Sequence, residues 1–344
     1  MRANEAALSA KIKAKFSKHL SAKDYQNLLA KQSVSEVADY LRNSTYYGEY
    51  FSNISSDNIR RGKLESILRD SVFLRYQQLL KFAPNKKQDF FKYQIILNEC
   101  KTIVRMFTMM KGKNRPDDLE FATYHLSKLS KINYYALLQA NNIEEFMGGL
   151  VGTPYYKVLM DFSAQAVDKI NYTNLENALN KYYYTEVKQL VDKFFVKSEQ
   201  EDINKVFNCH IEIENLTRVY RLKKSFKYDN SYIKSILTPY YSLINQKRLD
   251  QFIDNLNADE FVNELRRTAY TKYIPKQPFV HIENYMERML YNVSRHYLSF
   301  SSSAAVALVC YSELVEIEIQ NIIEIIEGIR YKTPEEEIKA LLIH

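Results

Sequence analysis

The sequence predicts an all-α protein, on three observations. Only seven Gly and seven Pro occur in 344 residues, too few for the many tight turns of a sandwich or barrel. Apolar residues recur at steps of three and four through long stretches, and no segment sustains period-two alternation. The same order of elements also occurs three times along the chain.

The repeat is visible residue by residue. Leu20–Tyr47 aligns without gaps on Leu129–Tyr156. Leu20 falls on Leu129, Ser21 on Ser130, Tyr25 on Tyr134, Leu28 and Leu29 on Leu137 and Leu138, and Leu41 on Leu150. Ser44-Thr45-Tyr46-Tyr47 falls on Thr153-Pro154-Tyr155-Tyr156. A third copy sets Asn257 on Asn142, Glu260 on Glu145, Phe261 on Phe146, Leu265 on Leu150, and Thr268-Ala269-Tyr270 on Thr153-Pro154-Tyr155. Ser33-x-x-Glu36, Asn142-x-x-Glu145 and Asn257-x-x-Glu260 have the form of capping boxes, so each copy starts a short helix at the same place. A small-residue turn carrying Tyr ends it.

Long amphipathic helices follow. Leu64, Leu68, Val72, Tyr76 and Leu79 form one stripe, matched by Leu175, Leu179, Tyr183, Val187 and Leu190. The third stripe is Ile282, Met286, Leu290, Ser294 and Tyr297, with Ser294 as its exception. A further helix closes each copy, over Phe90–Met110, Glu201–Phe226 and Ala304–Ile329. Each copy therefore reads as short helices, a turn with Tyr, and a long antiparallel helix pair. Polar junctions near Lys113–Asp117 and Lys227–Asn230 place the repeats at 1–114, 115–228 and 229–344. At the end, Thr333 as cap, Pro334 at N1 and Glu336 at N3 predict a last short helix over Glu335–Ile343.

Composition narrows function. None of the glycines stands in a G-x-x-x-x-G-K-[ST] or G-x-G-x-x-G frame, which argues against a phosphate-cradling loop. Three cysteines without a C-x-x-C, Cys100, Cys209 and Cys310, point to a reducing compartment and to small buried hydrophobes. The first residues carry no apolar h-region, so no signal peptide is expected, and the longest apolar run, Ala304 to Cys310, is too short to span a bilayer. The net charge of +7 fits a Lys-rich solvated surface, an anionic membrane surface or an acidic partner. His210-x-Glu212-x-Glu214 offers three possible metal ligands, but at i, i+2 and i+4 on a helix they do not converge, so a structural or solvated role is expected. The expectation is no catalytic residue, no cofactor and no metal.

The last helix is the most informative polar segment. Glu313, Glu316, Gln320, Glu324 and Glu327 form one wet acidic face. Glu318 and Asn321 fall off that face among Ile317, Ile322 and Ile325, where a carboxylate needs a partner. Glu99 to Arg105, Asn215 to Arg221 and Asn321 to Glu327 are equally spaced, so Arg105 and Arg221 take comparable places. These late-helix polar groups are expected to line an inner wall where the repeats face each other.

The same residues carry a family resemblance. Ser44-Thr45-Tyr46-Tyr47-Gly48 and Thr153-Pro154-Tyr155-Tyr156 resemble the T-P-Y units of the C subunit of V/A-type rotary ATPases, the family of the eukaryotic d subunit. Glu214-Asn215-Leu216-Thr217-Arg218 through Arg221 resembles its N-I-x-x-x-x-R helix. Glu316-x-Glu318-x-x-Asn321-Ile322, followed by Thr333-Pro334-Glu335-Glu336-Glu337-Ile338, resembles its C-terminal signature. Glu99 stands where that family often has Asn. The resemblance implies a pseudo-threefold funnel of three helical units without chemistry of its own. It implies a place on the cytoplasmic face of the membrane, between the central axle (the D and F subunits) and the rotor-ring proteolipid, near the stator membrane subunit and anionic lipid. Such a socket couples ATP hydrolysis or synthesis to H⁺ or Na⁺ transport. The expected axle or ring contacts are Arg105, Glu214, Asn215, Arg218, Arg221, Glu318 and Asn321. A helical-repeat scaffold lacking the funnel, or a basic nucleic-acid-binding adapter with Lys and Arg on one face among exposed Tyr, are the competing readings; an enzyme would need a pocket of convergent polar groups.

Overall fold

Helix starts set the layout. In the computed structural model, residues 2–51, 59–83, 87–112, 126–127, 129–165, 169–226, 228–275 and 281–344 are described. Among them there are sixteen α-helices and no strand. The first copy gives α1 (Arg2–Phe16), α2 (Ala22–Leu29), α3 (Val34–Ser44), α4 (Arg61–Leu80) and α5 (Tyr93–Gly112). The second gives α6 (Tyr134–Gln139), α7 (Ile143–Gly148), α8 (Pro154–Val158), α9 (Tyr172–Phe194) and α10 (Lys197–Arg221). The third gives α11 (Asn230–Ser235), α12 (Gln246–Asn255), α13 (Ala258–Leu265), α14 (Ile282–Phe300), α15 (Ala304–Tyr331) and α16 (Glu335–Leu341).

The three expected capping residues all cap, but only one of the three boxes closes in the standard way. Asn257 accepts from Glu260 N at 2.9 Å, and Glu260 accepts from Asn257 N at 2.8 Å. Ser33 and Asn142 likewise accept from Glu36 N and Glu145 N, at 3.2 and 2.9 Å. Their glutamates, however, reach one residue further back, to Gln32 N at 3.1 Å and Asn141 N at 2.9 Å. A full box also stands at α2, between Ser21 and Asp24. The usual sequence pattern does not cover it, because its N3 residue is Asp rather than Glu or Gln.

The Tyr-bearing turns are built by threonine. Thr45 Oγ1 donates to Leu41 O, Thr153 Oγ1 to Leu150 O, and Thr268 Oγ1 to Leu265 O, at 2.6 to 2.7 Å. This fixes the repeating unit as Thr-x-Tyr: Tyr47, Tyr155 and Tyr270. The gapless alignment is therefore off by one in the first copy, where Thr45, not Ser44, corresponds to Thr153. The reason is that one more residue separates the cap Ser33 from Thr45 than separates Asn142 from Thr153.

Most of the predicted stripe residues are buried, and Ser294 is fully so, 3.4 Å from His210 Nε2. Helix α15 is buried almost all round at its start, from Ala304 to Ser312, and packs on α14, α1 and α4. It ends on Lys332 in the left-handed region (φ 55°), with Thr333 N donating to Gly328 O at 2.9 Å. Thr333 therefore finishes α15 rather than capping α16; Pro334 takes the N-cap place and makes no side-chain cap.

Packing groups the chain into two compact units. One compact unit is 84–197, and the other joins 1–83 to 198–344. Within the first, α5 packs on α9 and on α6. Within the second, Cys209, Ile213, Leu216 and Val219 of α10 share one core with Leu249, Ile253, Phe261, Tyr270, Met286 and Met289. The last long helix of one copy thus packs with the short helices and first long helix of the next. The expected junction Lys113–Asp117 and residue Lys227 lie outside the described residues.

Because the Asn257 side chain accepts from both Asp259 N and Glu260 N, Asn257→Ala should lower stability by about 1 kcal/mol, read from urea denaturation. Ser33→Ala should cost less, since Ser33 accepts from Glu36 N alone.

Candidate functional site

The polar residues on the long helices fall into a pattern. Glu212 projects from α10 into an apolar core and is fully buried. Four donors meet it: Ser242 N, Leu243 N and Ile244 N at 3.1, 2.9 and 3.0 Å, and the Tyr270 hydroxyl at 2.6 Å. Burial pushes its carboxyl above the ordinary value, and the hydrogen bonds from Tyr270 and the three amides pull it back. Four donors aimed at two oxygens suit the carboxylate and leave no acceptor for an acid proton.

The same pin recurs. Glu99 of α5 accepts from the Tyr155 hydroxyl at 2.5 Å, and its second hydrogen-bond partner is Ser130. Glu318 of α15 accepts from Tyr47 at 2.9 Å, from Tyr46 in a short bond, and from Leu20 N at 2.6 Å. In each case the carboxylate on the closing helix of one copy takes the Thr-x-Tyr hydroxyl of the next, and the third copy closes on the first. A buried cation accompanies the Glu318 pin. The Arg75 guanidinium, 1% exposed, lies 3.8 Å from it and faces the rings of Tyr46, Tyr47 and Tyr50 at 4.3, 4.6 and 5.3 Å. His19 Nδ1 is 3.3 Å from Glu318; burial lowers its pKa, and the Glu318 carboxylate works against that shift.

Three residues further along two of these helices sits an Asn clamp. Asn215 donates to Thr238 O at 2.8 Å and accepts from Thr238 N at 3.1 Å. Asn321 does the same with Ile343, at 2.6 and 2.8 Å, and also donates to Tyr25 at 3.0 Å. A side-chain amide here plays the part of a neighbouring strand. These pins revise the sequence register. Glu99 corresponds to Glu212 and Glu318, Thr102 holds the Asn position, and Arg105 pairs with Arg218 and Glu324 rather than with Arg221 and Glu327.

The seven expected contact residues therefore separate. Asn215, Glu318 and Asn321 are buried and commit their polar atoms to internal bonds. Arg105, Glu214 and Arg221 are exposed, and Arg218 is half-buried, 3.3 Å from Asn215 Oδ1. Arg105 lines a cavity of about 430 Å³ with Lys101, Tyr172 and Glu176. Arg221 lies 3.4 Å from Glu283. His210, Glu212 and Glu214 do not converge: His210 is buried with its pKa pushed down to about 4 by desolvation, and Glu214 faces out. No group of side chains able to hold a metal occurs among the described residues. The three cysteines are buried free thiols, each with its pKa raised by burial. Two functional-looking residues had no sequence signal: Arg75, which sits within an ordinary helix pattern, and Glu287 of α14. Burial, with Glu324 and Glu316 nearby on α15, raises Glu287 to about 7 against the pull of Arg288.

The arrangement is one of pins between helices, with no convergent reactive group among the described residues. Comparison with known proteins agrees on the kind of protein: the family model for the ATP synthase (C/AC39) subunit matches residues 8–341. The chain belongs to this family. Its relatives include the A-type ATP synthase C subunit of Methanosphaera stadtmanae, 21% identical with 97% of this chain and 86% of the relative covered. The C subunit of Methanothermobacter thermautotrophicus is 20% identical at the same coverage, and that of Methanosarcina mazei 24% identical over 79% of this chain and 72% of the relative. Among the described residues of this C/AC39 family member, no helix is long and apolar enough to cross a membrane.

Tyr155→Phe and Tyr270→Phe should each destabilise by about 1.5–3 kcal/mol, since each leaves a buried carboxylate short of a donor. Tyr135→Phe, on an exposed ring, should stay within about 0.5 kcal/mol; urea denaturation of the three variants makes the comparison. Glu287 gives a pH signature. Below the ordinary value of 4.5 it is protonated folded and unfolded alike. Between 4.5 and about 7 the unfolded chain loses the proton while the folded one keeps it, so this residue's contribution falls as pH rises, and the full cost stands above 7. The stability gained by Glu287→Gln over wild type should therefore grow from about pH 5 to about pH 7.5.

Proposed function

We propose that this chain is the non-catalytic coupling subunit of an A-type rotary ATPase. It is a socket, peripheral on the cytoplasmic face, that receives the D and F axle subunits and rests on the proteolipid rotor ring. It transmits rotation between ATP hydrolysis or synthesis and H⁺ or Na⁺ movement. The observation that carries this reading is the family match over residues 8–341, nearly the whole chain. The pins support it physically. Apolar helix faces slide past one another with little directional preference, whereas hydrogen bonds to a buried carboxylate fix register.

On this reading the three repeats 1–114, 115–228 and 229–344 form the socket wall. Arg105, Glu214, Arg218 and Arg221 are its contacts to axle or ring, while Asn215, Glu318 and Asn321 hold the wall from within. The basic balance of +7 favours docking beside anionic lipid and the stator membrane subunit. Nucleic acid has no part in it.

The test is a tagged pull-down from mildly solubilised host membranes, with mass spectrometry of the proteins retained. Recovery of the D and F subunits together with the ring proteolipid is the expected result. Recovery of nucleic acid or unrelated proteins, with no ATPase subunit, would remove the proposal. Arg218→Glu with Arg221→Glu should reduce recovery of the axle or of the ring while leaving the urea midpoint within about 1 kcal/mol of wild type.

A further inference from the structure

The two Asn clamps hold segments of very different origin. Asn215 grips Thr238, in the segment that runs from α11 into α12. Asn321 grips Ile343, in the segment that follows α16. Helix α11 packs on α12, and α16 packs on α2, the counterpart of α12 in the first copy. Residues 335–343 therefore stand to the first copy as 230–238 stand to the third. The difference is covalent. Helix α11 continues directly into α12, whereas α16 and α2 lie at opposite ends of the sequence.

What holds 335–343 in place is local and countable. Asn321 takes both backbone groups of Ile343, Asn284 donates to Leu341 O at 2.6 Å, and Arg288 donates to Ala340 O at 2.9 Å. Ile338, Leu342 and Ile343 are at most 4% exposed, and a Cβ at Gly328 would collide with the Ile338 side chain. The His344 ring packs on Tyr25 of α2 at 4.7 Å, and Tyr25 accepts from Asn321. Helices of seven and eight residues have no stability apart from their packing. Release of either one removes part of the other's packing.

We propose that residues 335–344 are a detachable strap that opens together with α2 as one cooperative unit, while the rest of the chain, including the packing of α15 on α1 and α4, stays folded. The corresponding unit α11–α12 has no such freedom, because its two halves are joined by a short connection that keeps them together when packing loosens.

Native-state hydrogen exchange on the full chain, over a series of sub-denaturing urea concentrations, tests this. Amides of 338–343 and 25–30 should share one protection level and one urea dependence, with at least roughly tenfold less protection than 249–256 and the core of α10. Asn321→Ala should lower protection in both 338–343 and 25–30 by about tenfold, with 249–256 unchanged; Tyr25→Phe, a gentler change, should move the same two segments in the same direction. Exchange of 338–343 only through global unfolding would overturn the proposal. So would different urea dependences for the two segments, or variants that shift one segment alone.

Discussion

A carboxylate set into the apolar face of a helix must find donors or lose the proton-free form it is built around. Glu99, Glu212 and Glu318 each solve this with a tyrosine hydroxyl from the following copy. The tyrosine can be there only because a threonine two residues earlier ties the turn to the leucine near the end of the short helix. Cap, short helix, threonine turn, tyrosine and carboxylate thus form one chain of dependence, written three times. The apolar stripes supply most of the burial, but they do not by themselves choose a register between helices; the pins do.

The three pins use different local chemistry for the same end. Glu212 relies on three consecutive backbone amides, a neutral nest that can stabilise negative charge without a counter-ion. Glu99 has the plainest set, one tyrosine and one serine. Glu318 faces a full arginine enclosed by tyrosine rings. Of the three pins, the one with a buried arginine beside it therefore lies where sequence continuity is weakest, between the last long helix and the first copy. For a subunit proposed to sit in a turning shaft, that is the seam with the greatest need of directional bonds.

Much of this was legible in the sequence, because helix periodicity and caps are local. The all-α class, the long stripes and the capping roles of Ser33, Asn142 and Asn257 follow from residues within a few positions of each other. Two kinds of feature were not legible. Alignment without gaps places Thr45 one residue off, since it cannot absorb the extra residue between Ser33 and Thr45, and matching equal six-residue spacings places Glu99 three residues off. Contacts between distant residues carry no spacing signal. Glu212 reads only as structural or solvated, nothing marks Tyr270 as its partner, and Arg75 looks like any helix residue until Glu318 arrives beside it. The compact units were also out of reach, because packing joins the end of one copy to the start of the next.

That offset between copy and packing unit bears on the order of synthesis. Residues 19–75 leave the ribosome long before Glu318 does. Until then Arg75 lacks the Glu318 carboxylate, Leu20 N and Tyr47 lack their acceptor on α15, and Tyr25 lacks both Asn321 and His344. The Arg75 site is consequently complete only once α15 has been made. A chain truncated before α15 has no carboxylate to set beside that guanidinium, so water must take the place that Glu318 holds in the folded chain.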